Sequence, residues 1–142
     1  IGPVNIAMDP EMTFVNMGDS FDISIRVHAD VNNFNSVAAH FDFNQALLQV
    51  DSISGITAPS WVETQNSFNN TLGRVDYEAG RSSGYDSGDL LVCVVHMTAI
   101  GVTPTYTDLS FVFAPETRKT AVDADLSDLC RGNVTNAWVD VN

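Results

Sequence analysis

The chain has 142 residues, of which 44% are hydrophobic and 17% charged, and 18 acidic against 6 basic residues give a formal net charge of −12. This length predicts a single domain spanning residues 1–142. Because an acidic surface repels phosphate backbones and anionic membranes, and because no run of about 18 apolar residues occurs, we expect neither nucleic acid binding nor membrane insertion. No signal peptide is expected either, so a secreted form would already have lost its signal.

Short alternating runs separated by turn residues predict strands in the first half of the chain, and no segment keeps a helical period over three turns. Residues 3–8 and 12–17 are predicted to form an edge pair. From residue 20 the alternation is regular and predicts two half-buried strands. Their inward faces are Phe21, Ile23, Ile25 and Val27 in the first, and Val37, Ala39, Phe41 and Phe43 in the second.

The second half continues the same pattern. Residues 47–53 form a further apolar run, residues 56–70 show no clear period, and residues 74–79 predict a strand with Val75, Tyr77 and Ala79 on one face. The longest apolar run, 90–100, predicts a central strand, and runs at 107–114 and 134–141 complete the set. Between them, residues 115–132 contain few apolar residues and several acids, which predicts a long functional or metal-binding loop.

Many short strands without helices must bury one face each against another sheet. The sequence therefore predicts an all-β, two-sheet β-sandwich with jelly-roll topology and about nine strands.

Three stretches carry a family resemblance. They are VNMGDSFDISI (15–25), AHFDFNQALLQV (39–50) and GDLLVCVVHMTAIG (88–101). In order and in turn positions they resemble cohesin modules, although Asn44-Gln45 replaces the Asp-Pro usual in that family. The resemblance implies a nine-stranded jelly roll that binds a dockerin, a small calcium-binding module, on one sheet face. It also implies an extracellular location, secreted or on the cell surface, within a polysaccharide-degrading assembly.

The outward positions of the resembling strands are candidates for partner binding. They are Ala38, His40, Asp42, Arg74, Asp76, Glu78, Val92, Val94 and His96. Val92 and Val94 are expected at the centre as a small apolar patch, unless a loop covers them. The two histidines are expected to be solvated surface residues rather than catalytic groups.

Other functions have separate candidates. A carbohydrate-binding module, the alternative function, would stack a polysaccharide on exposed aromatic rings, for which the candidates are Trp61, Tyr85 and Trp138. No cofactor is required, but a structural calcium could be held by Asp123, Asp125 and Asp128. No G-x-S-x-G, H-E-x-x-H or P-loop motif occurs, so we do not expect an enzyme. Whether Cys93 and Cys130 form a disulfide stays open.

Overall fold

A computed structural model describes residues 4–142, so Pro3 of the first predicted run lies outside the described residues. Within this range the chain forms thirteen strands and one 3-10 helix at Glu116–Arg118. The strands are β1 (Asn5–Asp9), β2 (Met12–Val15), β3 (Ser20–His28), β4 (Ser36–Asp42), β5 (Leu48–Ser54), β6 (Trp61–Asn69), β7 (Arg74–Arg81), β8 (Asp89–Ala99), β9 (Thr107–Phe111), β10 (Ala121–Ala124), β11 (Ser127–Asp128), β12 (Val134–Thr135) and β13 (Ala137–Val141). The described chain has no helix with the length and apolarity needed to cross a membrane.

The strands form a sandwich of two sheets, as predicted. The five-stranded sheet has the order β12-β1-β3-β8-β5. The eight-stranded sheet follows β11-β10-β4-β9-β13-β2, with β7 also paired to β4 and β6 paired to β7. The estimate of about nine strands is too low, partly because the segment predicted as a loop, 115–132, contains β10 and β11.

The first two strands do not pair with each other, so the prediction of an edge pair is wrong. β1 lies between β3, to which it is antiparallel, and β12, to which it is parallel. β2 belongs to the other sheet, where it runs parallel to β13. The chain crosses between the sheets at residues 10–11, and β2 ends up at the edge of its sheet.

The core lies between the sheets and is built from the predicted inward faces. Ile23, Ile25 and Val27 of β3 are fully buried, and so are the alternating residues of β4 and β7. Each such side chain contributes about 1.5–3 kcal/mol on burial, so the alternation fixes which face of each strand turns inward. Cys93 and Cys130 are both buried and free. Burial raises the pKa of both thiols.

Candidate partner-binding surface

The nine residues predicted to form one partner-binding surface lie on two different sheets. Six of them are on the adjacent strands β4 and β7, in the pairs Ala38 with Glu78, His40 with Asp76, and Asp42 with Arg74. We call the surface around these six residues the β4–β7 face. The other three, Val92, Val94 and His96, lie on β8 in the five-stranded sheet. The outer faces of a sandwich point in opposite directions, so the prediction of one continuous surface is wrong.

Val92 is fully buried and is not the centre of an exposed patch. Along the β3–β8 pairing, Ile25 faces Cys93 but the next residue, Arg26, faces Leu91, which leaves Val92 as an extra residue. Such a bulge interrupts the strict alternation of a strand. Val92 and Cys93 are therefore both buried, although they are neighbours in sequence.

Val94 and His96 do face outward, but they belong to a separate polar surface. Both are partly exposed. The His96 Nδ1 atom lies 2.7 Å from an Asp22 carboxylate oxygen, and its Nε2 atom lies 2.7 Å from the Ser54 hydroxyl oxygen. These contacts give the five-stranded sheet a polar outer face.

His40 is the centre of a charged cluster on the β4–β7 face and is only 1% exposed, so the prediction of a solvated histidine is wrong. Its Nδ1 atom lies 2.8 Å from Asp76 and its Nε2 atom lies 3.1 Å from Glu78. The imidazole ring is therefore held between two carboxylates of the neighbouring strand β7.

Arg118 joins the cluster from the 3-10 helix that lies over β4 and β7. It donates from Nε to Asp76 at 2.6 Å and from Nη1 to Asp42 at 2.8 Å, and its Nη2 atom contacts the carbonyl oxygens of Phe41 and Val75.

These contacts shift the pKa values of the charged groups. Burial acts to raise the pKa of Asp76, but the hydrogen bonds and charges of Arg118 and His40 outweigh it, and the pKa is lowered. For Arg118, burial acts to lower the pKa, and its carboxylate partners outweigh that effect and raise it. Arg118 is not among the residues predicted from the sequence, because it is one of three basic residues in the segment 115–132 and no spacing distinguishes it.

The predicted calcium residues lie at the end of the β4–β7 face. Asp123 and Asp128 are paired across β10 and β11, and burial, followed by the nearby Asp128 carboxylate, raises the pKa of Asp123. Asp125 instead accepts hydrogen bonds from Asn35 at 3.1 Å and from Tyr85 at 2.6 Å. Within residues 4–142, no group of three or more His, Cys, Asp or Glu side chains is arranged to hold a metal ion. The calcium prediction gains no support from this arrangement.

An acidic groove of about 210 Å³ runs beside these carboxylates and is continuous with the β4–β7 face. Its lining includes Ala38, Glu78, Glu116, Asp123 and Leu126. Leu126 is 97% exposed and has a φ of +72°, a backbone conformation that residues with a Cβ rarely adopt. An exposed leucine at a strained turn is not expected from the sequence, because apolar side chains are usually buried.

The three aromatic candidates for carbohydrate binding are not all exposed. Trp61 is buried, and its Nε1 atom donates to Asp86 at 2.5 Å. Tyr85 is exposed, but its hydroxyl group donates to Asp125, and this hydrogen bond raises the pKa of Tyr85. Trp138 is half-buried on β13. A polysaccharide needs exposed, coplanar rings, which this set does not supply.

Comparison with solved structures shows which known fold this is. The third cohesin ScaC of Acetivibrio cellulolyticus, solved in complex with the ScaB dockerin, matches 97% of this chain and 98% of its own, with a TM-score of 0.75 and 9% identity. CaCohA2 of Clostridium acetobutylicum matches 99% of this chain and 91% of its own, with a TM-score of 0.74 and 10% identity. The third ScaB cohesin of R. flavefaciens, in complex with a group 1 dockerin, matches 100% and 96%, with a TM-score of 0.67 and 14% identity.

No family model matches the sequence, and no curated protein sequence is similar to it. At identities of 9–14% the structural likeness concerns the fold. The chain therefore has the fold of cohesin modules, as the sequence resemblance predicts.

Proposed function

We propose that this chain is a non-catalytic, extracellular recognition module that binds a dockerin-type protein through its β4–β7 face. The observation that carries this proposal is the full-length likeness to cohesin modules, two of which were solved in complex with dockerins. The strongly acidic composition suits an extracellular protein, since it favours solubility.

The β4–β7 face has the properties of a preformed protein interface. Arg118 and His40 hold Asp76 in place, while the side chains of Asp42 and Glu78 remain 50% and 39% exposed and can accept hydrogen bonds from a partner. A surface that is already ordered loses less conformational entropy on binding. Leu126 adds an apolar side chain at the rim of the same face.

The same contacts argue against catalysis on this face. Asp76 and Glu78 are two carboxylates on one face of β7, the arrangement that a glycoside hydrolase would need. Both are bonded to the buried His40, and Asp76 is also bonded to Arg118. Their contacts are those of a structural ion cluster.

The test is a binding titration with the ScaB dockerin of A. cellulolyticus and the group 1 dockerin of R. flavefaciens, in calcium, together with dockerins from the source organism. Ala38→Arg should abolish binding, because it places a long cation in the centre of the face. Val94→Arg is the matched control, since Val94 is also partly exposed but lies on the outer face of the other sheet. Thermal unfolding of both variants checks that they fold.

Binding that survives Ala38→Arg but is lost in Val94→Arg would show that the face is wrong. If no dockerin binds and an oligosaccharide does, the proposed function itself is wrong.

A further inference from the structure

A second surface, at the opposite end of the eight-stranded sheet, is built around the free edge of β2. Its side chains are Met12, Phe14, Tyr106 and Trp138, and we call it the β2 edge surface. Met12, Phe14 and Tyr106 are 55%, 65% and 52% exposed. The Trp138 ring lies 5.4 Å from the rings of both Phe14 and Tyr106. An exposed apolar cluster of this kind is typical of an interaction site.

The backbone of β2 has unused hydrogen-bonding groups on its outer side. Trp138 donates to the carbonyl oxygen of Glu11, and Asn142 donates to that of Val15, so the odd-numbered residues bond to β13. In a parallel pair, alternate residues point to opposite sides, so the backbone groups of Met12 and Phe14 point away from β13. Among the described strands, β13 is the only partner of β2.

The two longer edge strands, β5 and β6, have interrupted pairing, whereas β2 does not. The pairing of β5 with β8 shifts register between Val50 and Ser52, and the pairing of β6 with β7 shifts between Glu63 and Gln65. Bulges of this kind protect an edge against the addition of another strand. β2 pairs regularly over its four residues.

A buried hydroxyl group on β2 also lacks a partner. The Thr13 Oγ1 atom is buried and forms no hydrogen bond within the described part of the chain. Buried polar groups are nearly always bonded, so this one marks an unfinished edge. A serine or threonine on an added strand could bond to it.

The charges around this surface indicate the kind of strand that fits. Asp108 lies opposite Trp138 on β9, Asp140 lies opposite Phe14 on β13, and Glu11 precedes β2. None of these three carboxylates forms an ion pair within residues 4–142. A second copy of this chain, with its net charge of −12, would bring like charges together. A polysaccharide would find no flat platform, since the Phe14 and Tyr106 rings are inclined to Trp138 by 87° and 44°.

We propose that the β2 edge surface binds an extended segment of a partner protein by strand addition, with apolar residues at alternate positions and Lys or Arg at its ends. The backbone of the segment pairs with Met12 and Phe14, its apolar side chains pack on the aromatic cluster, and its cations face the three carboxylates. This site goes beyond the proposed dockerin-binding function and uses a different part of the sheet.

The test uses the synthetic peptide KTVTVTK with two controls, the charge-reversed ETVTVTE and the proline peptide KTPPVTK. KTPPVTK lacks two successive backbone donors, one of which faces β2 whether the segment runs parallel or antiparallel to it. Amide exchange and chemical shifts measured by NMR should show KTVTVTK protecting Met12 and Phe14 and shifting the Trp138 indole. The affinity of each control peptide should be lower than that of KTVTVTK by a factor of at least about ten. This is the size expected for one lost hydrogen bond or ion contact.

Two variants separate the backbone from the side chain. Phe14→Ala removes the ring, whereas Phe14→Pro also removes the outward N–H without touching the bonds to β13. KTVTVTK should bind Phe14→Pro about tenfold more weakly than Phe14→Ala. If Phe14→Pro does not fold, the comparison of KTPPVTK with KTVTVTK on the unaltered protein decides the same point.

Equal binding of the two variants, or of KTPPVTK and KTVTVTK, would overturn strand addition. Equal binding of ETVTVTE would overturn the charge assignment. Dimers that form through β2 in sedimentation experiments, or Trp138 shifts caused by cellopentaose, would overturn the assigned partner. Loss of dockerin binding in Ala38→Arg should leave peptide binding unchanged, so the two proposals can fail separately.

Discussion

Replacing Arg118 by Gln is expected to lower the free energy of unfolding by about 3 kcal/mol, near the lower end of the range for breaking a buried ion pair. The lower end applies because the side chains of Arg118 and Asp76 are still 12% and 18% exposed. The Arg118 guanidinium donates to Asp76 and Asp42 at the same time, and a Gln side chain cannot do so. Asp76 would then remain largely buried beside His40 without its strongest partner.

Arg26 supplies the matched control. It forms one ion pair with Asp9, in which the side chains are 39% and 60% exposed. Exposed pairs contribute little, so Arg26→Gln should cost about 0.5 kcal/mol or less. Both variants are measured by urea unfolding followed by tryptophan fluorescence, with the difference taken from the midpoints at constant slope. Equal losses in the two variants would refute the assignment of Arg118 as the residue that holds the β4–β7 face together.

The loss should also depend on pH in a defined direction. Burial acts to raise the pKa of Asp76, but Arg118 and His40 hold it below the ordinary value for an aspartate. A group whose pKa is lower in the folded state stabilises the protein above its unfolded pKa of about 3.9 and loses that contribution as the pH falls through the folded pKa. The difference in the free energy of unfolding between wild type and Arg118→Gln should therefore be constant near neutrality and become smaller below about pH 4. A difference that narrows as the pH rises would contradict this sign.

Three further outcomes follow from single contacts. Asp123→Asn should raise the melting temperature at pH 7 but not in acid, because burial raises the pKa of Asp123 and its charge is unfavourable in the folded state once the pH exceeds that pKa. Gly73→Ala should lower the free energy of unfolding in urea by about 3 kcal/mol, since a Cβ there would collide with the Phe43 carbonyl oxygen. Gly18 also has a positive φ but lies in open space, so Gly18→Ala should lower it by only about 1 kcal/mol. Thr13→Val should raise the unfolding free energy by about 1 kcal/mol, because it removes a buried hydroxyl group that has no partner; a loss of stability would contradict this.

The sequence predicts the strands whose alternation is regular, because one face of each must be buried. Ile23, Ile25 and Val27, like Val75, Tyr77 and Ala79, are all buried as expected. β6 was not recognised because it is an edge strand with few buried side chains, so its sequence lacks an alternating pattern.

The candidate site was predicted only in part, for two physical reasons. The bulge at Val92 depends on how β8 pairs with β3, which the sequence of β8 alone does not contain. The assignment of strands to sheets is also a tertiary property, so outward residues of β4 and β8 could not be separated in advance. His40 bonds to Thr120 and shares Asp76 with Arg118, and these two residues lie 80 and 78 positions away in the chain.

The two parallel pairs that join the beginning of the chain to its end have a mechanical consequence. β1 pairs with β12 in one sheet, and β2 pairs with β13 in the other. Consider a force that pulls the start of the chain and its end in opposite directions. In each of these parallel pairs, the two strands are then pulled past each other along the strand axis. The force therefore loads the evenly spaced ladder bonds together instead of opening them one after another. Under tension applied through its two ends, this module would resist by shear in both sheets at once.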